Sequence, residues 1–175
     1  MAAETWNVVW LTLVAQFADL PDAERATRAL TRLMLAALLG GVLGYEREHS
    51  GKSAGLRTHI LVALGSALLV VSAQQAGMAT ADLSRVMQGI VAGIGFIGAG
   101  TIFTRSAESR PHGLTTAAGI WLTAAIGVTA GMGHGATAVF ATVLALVVLA
   151  LLPRMTGQAG RHSSGATTPP AHRDL

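Results

Sequence analysis

The sequence has no cysteine among its 175 residues and is poor in charge, with Asp, Glu, Lys and Arg making up 12% of it. Disulfide scaffolds, Cys-ligated zinc, iron–sulfur clusters and cysteine nucleophiles are thereby excluded. A typical soluble domain carries roughly 25% charged residues. Twelve basic and nine acidic side chains cannot cover the surface of a chain that is 51% hydrophobic, which excludes an ordinary water-soluble enzyme. Carboxylates are absent altogether from 109 to 173. A net charge of +3 and a pI near 10.6 would suit nucleic acid, but the charges stand in short clusters between long apolar runs. That placement points to a lipid bilayer as the partner and away from nucleic acid.

Apolar sequence is what the chain has in abundance. A helix needs about 17–25 apolar residues to cross the hydrocarbon. Five runs reach that length, at 29–45, 56–73, 86–103, 114–132 and 136–152. The expected fold class is all-α, a polytopic membrane bundle of about five transmembrane helices over residues 25–153. Pro21, Pro111, Pro153, Pro169 and Pro170 fall outside all five runs, where no helical hydrogen bond is lost. Arg47, Lys52, Arg57, Arg105, Arg110, Arg154, Arg161 and Arg173 fall on one side of the membrane, and Arg25, Arg28, Arg32 and Arg85 on the other. The positive-inside rule then puts the C-terminus in the cytoplasm and the N-terminus outside.

Residues 1–24 carry Glu4 where a signal peptide would be basic, and no small-residue cleavage site precedes Asp19. Trp6, Val9, Trp10, Leu13 and Phe17 recur at helical spacing. They read as an amphipathic helix lying in the interface, with a sixth, short span as the alternative. Residues 154–175 are rich in Gly, Ser, Thr and Pro without apolar periodicity, and read as a disordered cytoplasmic tail.

Gly93-Ile94-Gly95-Phe96-Ile97-Gly98 spells the dinucleotide-binding fingerprint. That motif works between a strand and a helix, with an acidic residue about 20 positions on. Here the flanks are one apolar run and the acidic residue is missing, so no nucleotide cofactor, and no other cofactor, is expected. Helix packing is the better account, because small residues let backbones approach closely in lipid. Gly40 and Gly44, Gly89 and Gly93, and Gly127 and Gly131 are each four apart, while Gly95, Gly98 and Gly100 add thin points. The third run is therefore expected to be central, touching neighbours on several faces.

The densest polar stretch, Tyr45 to His59, joins the first two runs. Glu46 and Arg57 sit at the two membrane edges, where an unpaired charge is costly, and are expected to pair across the turn. The alternative is that they only set topology and snorkel. Thr115 and Thr116 open the fourth run near Arg110 and His112; they either cap that helix or face the hairpin. Glu46, Arg47, Arg57, Thr58, Thr115 and Thr116 are thus the candidate functional cluster at the cytoplasmic edge. Asp82 and Arg85, three apart, form a candidate pair at the outer edge. His49, His59 and His112 lack any ligand spacing and read as interfacial hydrogen-bonding residues, so no metal site is assigned.

Gly44, Glu46, Arg47, Gly51, Ala54, Gly55, Leu56, Arg57 and Thr58 follow a G-x-E-R-(x)-G-(x)-AGLRT pattern that resembles the MgtC/SapB family of bacterial inner-membrane proteins. Two further blocks fit in order. One is Gly93 to Gly100, preceded by Asp82, Arg85 and Gln88; the other is His112 to Ala118, followed by Trp121 and Gly127. The resemblance covers the transmembrane part and not the tail. It implies a helical domain of four or five spans in the inner membrane, associated with growth under magnesium limitation and survival in host cells. Longer members carry a C-terminal cytoplasmic domain, which is not expected here.

The leading functional expectation is a non-enzymatic regulator of ion (Mg²⁺) or membrane-energy homeostasis. It would act through helix and loop contacts with another membrane protein or with copies of itself. The alternative is an oligomeric transporter or channel for Mg²⁺ or another solute, with Gln88, Thr101, Thr115, Thr116 and Thr123 along a polar path. Against it, Glu46, Glu48, Asp82 and Glu108 all lie near interfaces, whereas Mg²⁺ wants carboxylate oxygen. An intramembrane enzyme is disfavoured, since no nucleophile stands beside a base.

Overall fold

A computed structural model describes residues 2–15, 23–103 and 113–156. Those residues form six helices in the order α1 (Ala2–Ala15), α2 (Ala23–His49), α3 (Leu56–Gln75), α4 (Thr80–Phe103), α5 (Leu114–Gly131) and α6 (Gly135–Thr156). Phe17, Arg105, Glu108, Arg110, His112 and the tail beyond Thr156 lie outside the described residues. Each of the five apolar runs becomes one helix. α2, α3, α4 and α5 are long and apolar enough to cross a membrane, while the apolar stretch of α6, Gly135–Leu151, is shorter. The whole of α6 has 22 residues and so reaches about 33 Å.

Outward side chains are apolar and large, with Leu38 63%, Phe96 84% and Phe140 76% exposed. Soluble proteins rarely leave such surfaces in water, and a bilayer solvates them. The chain is a multi-pass membrane protein of helical-bundle architecture.

The helices are joined by turns that glycine makes possible. At Gly51 φ is +66°, and the amides of Gly51 and Lys52 donate back to the carbonyls of Glu48 and Arg47, each at 3.0 Å. A side chain would strain this left-handed backbone, so glycine lets α2 stop and α3 start within a few residues. α5 ends the same way at Gly133, where the His134 amide donates to the Thr129 carbonyl at 3.0 Å.

α3 is held between α2 and α5. A Cβ added at Gly40 would lie 2.6 Å from the His59 carbonyl oxygen, one at Gly44 2.7 Å from Leu56 Cα, and one at Gly131 2.8 Å from the Ala67 carbonyl oxygen. Gly127 is closer still to the Ala63 backbone. Two glycine pairs at four-residue spacing thus grip one helix from two sides, the close approach that lipid-embedded packing favours. Ala36, Leu39, Leu43, Ala63, Ala67, Ile126 and Ala130 fill the resulting core.

The third apolar run is not central. Among the described residues α4 packs only on α3 and α5, whereas α5 touches α2, α3, α4 and α6. Gly98 makes ordinary contact with Ala117, 3.6 Å from the position of its absent Cβ, but side chains at Gly89, Gly93, Gly95 and Gly100 would meet nothing within 4 Å. Gly89 and Gly93 border a groove of about 610 Å³ that Leu61 and Leu69 of α3 also line. The run that spells the dinucleotide fingerprint is continuous helix, with no strand-to-helix turn.

α1 packs on no other helix among the described residues. Trp6, Val9, Trp10 and Leu13 share one side of it, and Val8 and Leu11 on the other side are exposed as well. Its 14 residues reach about 21 Å, short of the ~30 Å hydrocarbon. α6 runs through Pro153 to Thr156, past the boundary read from the sequence. A proline there deprives only the Leu149 carbonyl of an amide, in a last turn where the ladder is ending anyway.

Candidate functional site at the hairpin end

The short α2–α3 turn sets the last turn of α2 beside the first turn of α3, and α5 packs on both helices. Arg47 is only 3% exposed. Its guanidinium forks onto the Glu46 carboxylate, Nε to Oε2 and Nη2 to Oε1, the latter at 2.7 Å. Ser50 Oγ donates to the same Oε1 at 2.9 Å. Neighbouring helix residues do not face each other, so the pair closes because the long arginine folds back and its planar fork matches a carboxylate.

Glu46 is therefore bonded from its own side of the turn. The expected pairing with Arg57 does not occur: Arg57 is exposed and makes no ion pair among the described residues. The reason is the rotation of α3, which turns Leu56, His59 and Ala63 toward Gly44 and Gly40 and leaves Arg57 facing out. Thr58 is half-buried on α3. Glu48, not singled out from the sequence as a site residue, accepts the Leu56 amide at 2.8 Å. Gly55 at the cap of α3 has no side chain to do so, and a carboxylate there also suits the positive helix end.

His59 is buried within the bundle. It is 1% exposed, drawn inward because Gly40 and Gly44 receive the first turns of α3. Its Nδ1 lies 3.0 Å from the Gly55 carbonyl oxygen. A carbonyl only accepts, so Nδ1 carries the proton and Nε2 of the neutral ring is a bare acceptor. Nε2 is buried and finds no hydrogen-bond partner among the described residues. The Gly40/Gly44 spacing is the sequence signal that could have found it.

Thr115 and Thr116 do not cap α5. The cap residue is Gly113, at φ +92° and without a side-chain bond, so the threonines are the second and third helical residues. Both border a cavity of about 120 Å³ with Lys52, Ser53 and Thr101, and Thr115 also borders a cavity reaching Arg47 and His59. The structure thus brings Thr115 and Thr116 to the hairpin, keeps Glu46 and Arg47 together, and leaves Arg57 outside.

Asp82 and Arg85 lie at the other end of the bundle, 3.8 Å apart and exposed, where a pair contributes little. The stronger contact at that end went unread in the sequence. Arg32 Nη1 donates to Gln74 Oε1 at 2.6 Å and to the Gly131 carbonyl at 3.1 Å, tying α2 to the ends of α3 and α5. Its cation also meets the negative end of α5. No group of three or more His, Asp and Glu able to hold a metal occurs among the described residues.

The profile of the MgtC family matches residues 33–158, from within α2 to just beyond α6. The chain belongs to the MgtC family. SrpB of Synechococcus elongatus is 44% identical to it over 135 residues, covering 71% of this chain and 74% of SrpB. YhiD of Escherichia coli, named as a candidate magnesium transporter, is 42% identical over 137 residues, covering 73% of this chain and 61% of YhiD. MgtC of Brucella abortus is 47% identical over 119 residues, covering 67% of this chain and 48% of that protein. The chain therefore spans less than two thirds of YhiD and about half of the Brucella protein. No solved structure matches it. The MgtC match takes in the Glu46–Arg47 fork, His59 and the glycine pairs of α2 and α5 that close on α3, while α1 lies outside it.

Proposed function

We propose that this MgtC-family chain is a non-enzymatic regulator of Mg²⁺ or membrane-energy homeostasis, acting by helix contact with another membrane protein. The observation that carries this reading is the open face of α4. Gly89 and Gly93 lie one turn apart on it and would meet nothing if given side chains, and Phe96 beside them is 84% exposed. Gly40, Gly44, Gly127 and Gly131, with the same spacing, are closed on α3. Helices in lipid associate through thin faces, so an unused one supports a partner helix, from another protein or a second copy. At the hairpin end, Glu46 and Glu48 are both held by local bonds, which favours a structural cluster over an ion path. The excess of basic residues at that end favours a cytoplasmic placement in a bacterial inner membrane.

The name of YhiD favours a second reading, an oligomeric Mg²⁺ transporter with Glu46 as the carboxylate ring. Proteoliposomes loaded with an Mg²⁺-sensitive dye separate the two. Uptake with the purified chain, and with Glu46→Gln, is expected to match protein-free vesicles. Uptake by the wild type that Glu46→Gln removes would overturn the regulator reading.

A further inference from the structure

A cavity of about 380 Å³ lies between α5 and α6 and reaches inward to Arg47 and His59. We propose that it binds a neutral amphiphile with a long apolar body and a terminal hydroxyl, the hydroxyl donating to His59 Nε2.

The volume falls in the range of small-molecule sites, about 300–1,000 Å³. The walls are aliphatic, formed by Leu43, Leu122, Leu144, Val148 and Leu149; Arg47 and His59 make its buried polar end, and Thr115 and Thr123 are the other polar residues on the wall. Two of those four are occupied. Thr123 Oγ1 donates to the Gly119 carbonyl at 2.8 Å, and the Arg47 fork holds Glu46. His59 Nε2 is left as a buried acceptor with no donor among the described residues, a state that is costly to maintain.

The chemistry of that end selects the ligand. With its Nδ1 proton committed to the Gly55 carbonyl, His59 can only accept at Nε2, so the ligand must bring an O–H or N–H. A carboxylate has no proton to give that lone pair, and Arg47, which could attract it, is already forked onto Glu46; an ammonium would set a second cation beside Arg47. A neutral hydroxyl meets neither conflict. Gly119 provides the space, since a Cβ there would lie 3.6 Å from His59 Nε2 and 4.0 Å from Arg47 Cδ. Leu144 and Val148 are 64% and 43% exposed on the lipid-facing side, so an apolar body enters sideways from the bilayer. Diacylglycerols and reduced quinones share this chemistry.

Native mass spectrometry of the full chain, titrated with hexadecan-1-ol and with its methyl ether, tests the proposal. The two probes share an apolar body, but only the alcohol donates. The alcohol is expected to bind about tenfold tighter, the ratio one hydrogen bond to a buried acceptor supports. His59→Phe should bring the ratio to about one by removing the acceptor. If that variant does not fold, ¹⁵N-histidine NMR of the wild type reads the same contact: the alcohol should shift Nε2 and the ether should not. Displacement of the alcohol by dioctanoylglycerol supports a glycerolipid source; displacement by a reduced but not an oxidised quinone supports a quinol. Equal binding of alcohol and ether, binding of neither, or an unchanged ratio in His59→Phe would overturn the proposal.

Discussion

Gly127→Leu is expected to abolish folded protein in the membrane. The backbone of α5 lies so close to Ala63 that even a methyl at Gly127 would overlap the Ala63 carbonyl group. The obstacle is main chain, which cannot rotate aside, so α3 and α5 must part and open the core of Ala63, Ala67, Ile126 and Ala130. The cost exceeds the about 1–3 kcal/mol of ordinary overpacking. Gly127→Ala should also lose folded yield, despite the about 1 kcal/mol that alanine contributes to an isolated helix. Gly93→Leu is the control, because its side chain would enter open space. It should leave the stability of the single chain within about 0.5 kcal/mol of the wild type. Size-exclusion yield and thermal midpoint in one detergent check all three, and equal losses at Gly127 and Gly93 would contradict an α3-centred bundle.

Arg47→Gln is expected to cost about 3 kcal/mol. That is the low end for removing one partner of a buried pair, since the Glu46 side chain keeps 23% exposure and recovers some hydration. The exposed Arg57, changed to Gln, should shift stability by no more than about 0.5 kcal/mol. Denaturation midpoints of both variants decide which arginine holds Glu46. Equal losses would restore the pairing across the turn.

The helices were legible because lipid leaves the backbone few options. With no water to satisfy amides and carbonyls, each apolar run must bond internally, and a helix does so. Five runs therefore became five helices. Glu46, Arg47, Thr115 and Thr116 were legible as a group because few polar residues stand at the span edges. What sequence could not supply was rotation. α3 is apolar on every side, so its periodicity marks no face, and only the seating of His59 and Leu56 on Gly40 and Gly44 turns Arg57 outward and His59 inward. Glycine spacing had the same limit. Three pairs share it, yet two close on α3 and one borders an open groove beside it, because spacing reports that a face is thin and says nothing of how near its neighbour lies.

Site-directed cross-linking reads most directly whether the α4 face docks a helix. The chain has no cysteine of its own, so Gly93→Cys and Leu144→Cys can each carry a photoactivatable maleimide label in intact bacterial membranes. Leu144 is an outward position on α6, 64% exposed, and serves as the lipid-facing comparison. The expected result is one discrete adduct from the Gly93 position, identified by mass as a second membrane protein or a second copy, with only lipid adducts from Leu144. Lipid adducts alone at Gly93, or the same protein adducts from both positions, would contradict the account.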